Sequence, residues 1–554
     1  MSSNENYARR VLEALSSDPD RIALWREGEE FTAGQFSRAV LAAAEVLRRH
    51  FTDRRAADRG AADRRAPATD HRGPATEGKD PVVAVLTVTN SPATIILRYA
   101  ANLAGATLVH LHSTNAVDPT DQLAAAARQE LLSRTGAAFL AVDKEHVGAA
   151  HELCDRLPEP PRLAVLGPLG PDVLDLSSGD PDAFDLDAAG ADPEQPAVVI
   201  CTSGTSGRPK AVTLSYRVRG LPLQNSPAQD TPSQESPFQD SPLQSPEPIV
   251  YLSTLPVSNS SSSVVDLTLA SGGTVILHDG FEAGEVLRAV ERHRVSALAI
   301  TPPQLYALVD HPDVATTDRS SIRVISYVGS PAAPARLAEA VEVFGPVLLQ
   351  IYGTTEISPI SVLTPSDHTD PELRGTVGRP TAEVRIRHLD DDRDVPPGET
   401  GEVCVRSPYT MLGYWGEPEL TAETIRDGWV HTGDLGSVDE NGCLRLHGRM
   451  REVVKTNGIK VHPTDVENAL LTHPEVAQAA VYCVVDDDRV EHIHAAVVVR
   501  PGGTADSGTL IGHVAAELSP KHVPAVVTSH DALPLTAAGK PDKQALAVRN
   551  RGAA

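Results

Sequence analysis

The sequence predicts an α/β protein: a large N-terminal domain of mainly parallel sheets with helices and a small antiparallel portion, then a small α+β C-terminal domain. Three observations predict this. Short apolar runs alternate with segments of helical spacing up to about residue 400. Glycine-rich alternating segments then take over. After residue 448 the chain reads as a compact series of strand, helix and strand.

Taken in order, "PVVAVLTV" and "TLVHLH" read as strands, and "SPATIILRYAANLAG" between them has helical spacing and a glycine stop. "AVVIC", "IVYLSTL", "TVILHD", "ALAI", "VISYV" and "VLLQIYG" continue the pattern, with helices such as "ARLAEAVEVF" between some of them. "GEVCVRS" and "GCLRLHGR" read as the antiparallel portion. In the tail, "PTDVENALLTHPEV" is expected to be a helix with Thr464 and Glu467 as a capping box, followed by the strands "AQAAVYCVV" and "IHAAVVV". The expected domains are 1–448 and 449–554.

Two segments lack the apolar surface that would offset ordering entropy. Residues 52–80 are Arg/Asp/Ala-rich and repeat "AADR", and residues 222–248 repeat Ser-Pro and Gln-Asp. Both are expected to be disordered insertions in exposed loops. The 554 residues carry a formal net charge of −25, which argues against a nucleic-acid partner and makes any anion pocket a local positive patch. The five cysteines form no C-x-x-C pair and read as reduced thiols. The start "MSSNENYARR" has no apolar stretch, and no run of about 18 apolar residues occurs, so a cytoplasmic protein without a membrane span is expected. His110 and His112, and His492 and His494, lie in expected strands with no third ligand nearby and read as structural.

Five clusters carry the chemistry. The first, "TSGTSGRPK" at residues 202–210, follows a buried run. Its Gly204 and Gly207 let the backbone curl around phosphates, Thr202, Ser203, Thr205 and Ser206 supply hydroxyl donors, and Lys210 supplies a point charge. It is not a Walker loop. In the second, "YGTTE" at 352–356, Glu356 suits a Mg²⁺ ligand and Thr355 a phosphate donor. In the third, "DGWVHTGDLG", Asp434 can accept both hydroxyls of a ribose. "GRMREVVKTNGIKVHP", with Arg449 and Lys455, and "PLTAAGKPDK", with Lys540, complete the set.

In order and spacing these five resemble the successive motifs of the adenylate-forming superfamily: acyl- and aryl-CoA synthetases, adenylation domains of nonribosomal peptide synthetases, and luciferases. The resemblance runs from about residue 20 to residue 546, apart from the two insertions. It implies a mobile C-terminal domain, attack of a carboxylate on the α-phosphorus of ATP to give an acyl adenylate and pyrophosphate, and transfer of the acyl group to coenzyme A or a carrier pantetheine. By resemblance, residues 202–210 cover the β- and γ-phosphates, and Glu356, with Thr354 and Thr355, places Mg²⁺ and the α-phosphate. Asp434 and Arg449 hold the ribose, Gly329 and Tyr352 flank the adenine, and Lys540 reaches both the carboxylate and the α-phosphate. Arg451, where the family usually has Asp or Lys, stands at the hinge, and Gly458 lines the thiol tunnel.

The resemblance thins at "LPVSNSSSSVV", residues 255–265, where the family often has an aromatic or histidine. Ser258 to Ser263 then either line a wider, more polar acyl pocket or form a plain loop. Adenylation of nitrite for transfer to an aryl amine, a catalytically silent nucleotide binder and a kinase remain alternatives to the acid–thiol ligase. The acid itself is not legible.

Overall fold

The structure, a computed structural model, describes residues 6–62, 81–111, 125–170, 173–202, 210–224, 247–259, 261–456, 458–486, 488–536 and 540–550. The described residues form two compact units: those up to 279, with 411–420, make the first, and those of 280–410 and 421–550 the second.

In the first unit an eight-stranded sheet runs in the order Gly413–Tyr414, Lys210–Ser215, Pro196–Thr202, Thr107–His110, Val82–Leu86, Phe139–Val142, Arg162–Val165 and Leu174–Asp175. The strands from Pro196–Thr202 onward pair in parallel. Val82–Leu86 is buried at all five positions, as expected of a strand covered on both faces. The helix Pro92–Leu103 starts where the Ser91 hydroxyl accepts the Thr94 N–H at 3.3 Å and Pro92 presets the first turn. Val250–Ser253, Thr274–Leu277 and Ile22–Arg26 form a second parallel set, closed by antiparallel Glu29–Thr32.

In the second unit Ala297–Ile300, Val324–Tyr327 and Leu348–Thr354 are parallel, and the chain then doubles back through Ile357–Leu363. The expected antiparallel portion follows, with Gly401–Arg406 between Glu383–Arg387 and Trp429–Val438, and Leu444–Arg449 on the far side of the last. The C-terminal part packs the helices Pro463–Leu471 and Ser507–Glu517 on the strands Val476–Val485 and Glu491–Val499 through Val466, Leu470, Val481, Ile493, Val497, Leu510 and Val514. Fold class is therefore as the sequence predicts. All five thiols are free, and among the described residues no helix is long and apolar enough to cross a membrane.

Three local expectations are corrected. The helix Ala33–Ala62 runs through the first part of the 52–80 segment, because alanine and arginine are strong helix formers. Residues 63–80 and 225–246 lie outside the described residues. The capping box does not form: Pro463 occupies the first helical position with His462 as the N-cap, so Thr464 is already inside the helix. The Glu467 carboxylate instead accepts the Val481 N–H at 2.8 Å and pairs with Lys543 at 2.8 Å. The serine run is not a plain loop, since Ser261 to Ser263 open the helix Ser261–Ala270. Ser261 is bonded to the hydroxyls of Tyr251 at 2.6 Å and Ser253 at 2.8 Å, and Ser262 and Ser263 accept from the buried Arg219. Ser260 lies outside the described residues.

Candidate active site

The phosphate-loop motif begins and ends on a hairpin of the first unit. Thr202 closes the strand Pro196–Thr202 and Lys210 opens Lys210–Ser215, and the two are direct cross-strand partners. The ammonium of Lys210 lies 5.0 Å from the ring centre of Tyr414, a cation–π contact that holds the side chain at the hairpin mouth. Ser203, Gly204, Thr205, Ser206 and Gly207 lie outside the described residues.

The remaining motifs belong to the second unit, where four of their residues converge. The antiparallel register sets Asp434 directly opposite Arg449, and the Arg449 Nε lies 3.1 Å from Asp434 Oδ1. Tyr352, near the end of its strand, donates its hydroxyl to the other carboxylate oxygen at 2.7 Å. Asp434 is only 6% exposed, and burial raises its carboxyl above the ordinary range although Arg449 and Tyr352 pull the other way. The Tyr352 hydroxyl is pushed well above its usual value by burial and by the charge of Asp434.

Lys540 completes the group. The Thr536 N–H donates to the Lys540 carbonyl at 2.6 Å, and a bridge joins Leu535 to Pro541. The lysine side chain passes over Gly329: a Cβ built at 329 would meet Lys540 Cε at 3.3 Å, and Gly329 sits at φ +99°, which strains any other residue. Burial, with the neighbouring charge of Arg449, lowers the ammonium to about 8, while Asp434 and Glu452 oppose the shift. Lys543, one turn on, is tied to Glu467 at 2.8 Å and faces Glu452 at 3.9 Å, so the chain after Lys540 is anchored to the helix Pro463–Leu471.

Thr355 and Glu356 form the turn between Leu348–Thr354 and Ile357–Leu363 and are half-buried. The charge of Glu356 is felt by both Arg449 and Arg451. Thr354 Oγ1 is a buried hydroxyl with no hydrogen-bond partner among the described residues. That orphaned donor, the Glu356 carboxylate and the Arg449 guanidinium suit a phosphate chain with a magnesium ion. Arg451 lies in the short helix Met450–Glu452, and Gly458 turns between Val454–Thr456 and Ile459–Val461 at φ +74° with open space where a side chain would project.

Sequence reasoning missed the groups that hold this constellation. Glu402 and His431 form a half-buried pair behind the Asp434 loop, with Glu402 Oε2 2.8 Å from His431 Nδ1. Lys543 and Glu467 went unremarked as partners, and so did Arg500, which bonds Asp310 at 3.0 Å and Glu339 at 2.8 Å. His431 stands in the quoted "DGWVHTGDLG", but its partner lies on another strand.

Comparison with known proteins bears on the whole chain. The model for the AMP-binding enzyme family matches residues 77–415, and that for the AMP-binding enzyme C-terminal domain matches 465–540. A medium/long-chain-fatty-acid–CoA ligase, FadD8, of Mycobacterium tuberculosis is 33% identical over 442 residues, 76% of this chain and 74% of that protein. A feruloyl-CoA synthase of an Amycolatopsis species is 33% identical over 366 residues, covering 65% and 72%. Among solved structures, the amide bond synthetase McbA of Marinactinospora thermotolerans superposes with a TM-score of 0.78 at 32% identity, covering 98% of this chain and 99% of that one. An anthranilate CoA ligase, AuaEII, at 20% identity and a TM-score of 0.80, shares the fold. With these matches and the convergence of Tyr352, Asp434, Arg449 and Lys540, the chain belongs to the AMP-binding enzyme family, within the adenylate-forming superfamily, and is an AMP-forming ligase of the acyl-CoA synthetase kind.

Proposed function

We propose that the protein activates a carboxylic acid with ATP and hands the acyl group to a thiol. In the first step a carboxylate oxygen bonds to the α-phosphorus as the bond to pyrophosphate breaks. In the second a thiol sulfur bonds to the acyl carbon, AMP leaves and the thiol proton is lost. Nucleophile, α-phosphate and leaving group are all anionic, so the protein's task is to bring like charges together and neutralise them. The observation that carries the reading is the Lys540 ammonium, held over Gly329 in the company of Asp434 and Arg449.

In this reading Lys540 bridges the acid and the α-phosphate, Thr355 and Thr354 donate to phosphate oxygens, and Asp434 with Arg449 takes the ribose. Gly329 and Tyr352 bound the adenine, and residues 202–210, with Thr202 and Lys210 at their ends, cover the outer phosphates. Glu356 would hold Mg²⁺, which supplies positive charge to the phosphates when bound. Residues 449–554 act as a mobile domain on 1–448, with Arg451 at the pivot and Gly458 on the path of the pantetheine. Coenzyme A is the acceptor that the named ligases support, and a separate carrier protein is the variant.

One observation favours a second reading of the acceptor alone: the 32% identical, nearly full-length structural relative is an amide bond synthetase, so an amine could replace the thiol. Pyrophosphate release measured over a panel of fatty, aryl and amino acids, with coenzyme A, with an amine and with neither, tests both readings. Acid-dependent pyrophosphate and AMP are expected, with thioester formed from coenzyme A. ADP as the product would overturn the reading.

A further inference from the structure

The register between Gly401–Arg406 and Trp429–Val438 slips at one place. Cys404 faces His431, but Glu402, two residues earlier, faces Leu435, four residues later. The second strand therefore carries two extra residues there, and they form a bulge containing Thr432, Gly433 and Asp434. A bulge is free to re-aim the side chain it carries unless something fixes it. Here Glu402 spans it: one carboxylate oxygen lies 2.8 Å from His431 Nδ1, and the other accepts the Gly433 N–H at 3.1 Å. Thr432 closes the remaining gap, donating its hydroxyl to the Val403 carbonyl at 2.7 Å and accepting the Asp434 N–H at 3.1 Å. Gly433 sits at φ +71°, a conformation that turns its N–H toward the carboxylate at no steric cost.

The pair is a hydrogen bond to a carboxylate in a site with little water, since the side chains of Glu402 and His431 are 13% and 7% exposed, and the bond helps hold the Glu402 carboxyl below its ordinary range. Cys404 Sγ lies 3.3 Å from the same Nδ1, so the three groups have the makings of a metal site. Two facts turn the reading away from a cation. The histidine nitrogen is already engaged by the carboxylate, and the charges of Arg387 and Arg426 bear on the cluster.

We propose that Glu402 and His431 are positioning residues that aim Asp434 at the sugar and so set the preference for a ribonucleotide over a deoxyribonucleotide. This rests on the assignment of Asp434 to the ribose hydroxyls. The brace touches no substrate atom. It fixes the bulge whose last residue does, while Tyr352 and Arg449 grip that residue from the other side.

The test compares ATP with 2′-deoxy-ATP and 3′-deoxy-ATP in acid-dependent pyrophosphate exchange, using the full chain. The unmodified enzyme should prefer ATP. Glu402→Ala should lose roughly tenfold or more of that preference, the scale of one charge-assisted hydrogen bond, mainly through KM for ATP. Glu402→Gln, which keeps an acceptor for Gly433, should lose less, and His431→Gln should fall between them. The graded pair keeps the test decisive even if Glu402→Ala folds poorly. A lower kcat in Glu402→Gln and His431→Gln with an unchanged ATP to deoxy-ATP ratio would overturn the brace alone. An unmodified enzyme indifferent to both hydroxyls would overturn the ribose assignment and the brace with it.

Discussion

Two buried aspartates, one in each unit, are gripped by the same kinds of group and do different work. Asp266 in the first unit receives the guanidinium of Arg98 and the hydroxyl of Tyr99, at 2.6 Å, on one oxygen and the guanidinium of Arg219 on the other. Arg98, Arg219 and Asp266 are 2%, 4% and 2% exposed in their side chains. Tyr99 and Tyr7 offer their rings to the two guanidiniums, which suits a cluster with more cation than anion. Asp434 in the second unit has one tyrosine and one arginine, and that arginine is 40% exposed. Beside it stands Lys540, which makes no ion pair among the described residues and whose charge is weakened by burial. The first arrangement is closed, with its cations committed to the fold. The second leaves its arginine partly exposed and its lysine uncommitted, which suits an anionic substrate.

The comparison breaks most visibly at Asp266. Asp266→Ala strands two buried guanidiniums and should cost about 3–5 kcal/mol, read as a large fall in the urea midpoint, whereas Asp434→Asn should leave the midpoint nearly unchanged and weaken ATP binding. Equal loss of stability in both would erase the distinction. Next in size is Lys540→Ala, which should lose ~2–4 kcal/mol of transition-state stabilisation in adenylation, measured by pyrophosphate exchange. Thioester formation from a supplied acyl adenylate should survive, and equal loss in both half-reactions would disprove the division of labour.

A pH profile sharpens the comparison further. Lys540 is charged in the folded protein below about pH 8, against an ordinary value of 10.5, so adenylation under subsaturating ATP should fall as the pH rises through 8. The stability term has the opposite sense: between those values the unfolded chain binds the extra proton, so the penalty of burying the ammonium is full below pH 8 and fades as the pH rises. Lys540→Ala should abolish both effects. The smallest effect is expected at Arg500, whose partly exposed contacts to Asp310 and Glu339 tie the end of Glu491–Val499 to the helices Pro302–Asp310 and Pro334–Phe344. Arg500→Ala should cost about 1 kcal/mol or less in stability and slow adenylation a few-fold more than thiol transfer. The reverse bias would show that these contacts do not favour the adenylating arrangement.

What the sequence made legible follows from local physics. Parallel strands such as "VVAVL" announce themselves because burial on both faces demands continuous apolar residues. Tyr352, Asp434, Arg449 and Lys540 stand out in the sequence only through the order of five short motifs that together resemble one family's, and the structure brings these four side chains together. The groups that support them do not stand out. Glu402 acts through a bulge on a neighbouring strand, and no pattern along one strand records that. Glu467 has the spacing from Thr464 of a helix cap, but Pro463 moves the helix start forward by two residues and frees the carboxylate for Lys543. The serine run looked like pocket lining or loop, and only the fold reveals Tyr251, Ser253 and Arg219 as its partners.

The clearance at Gly329 has an evolutionary consequence. Any side chain there would meet both an unfavourable backbone angle and the Cε of Lys540. In the proposed reading Gly329 also bounds the adenine, so a descendant carrying a bulky residue at 329 would lose its nucleotide and its chemistry together.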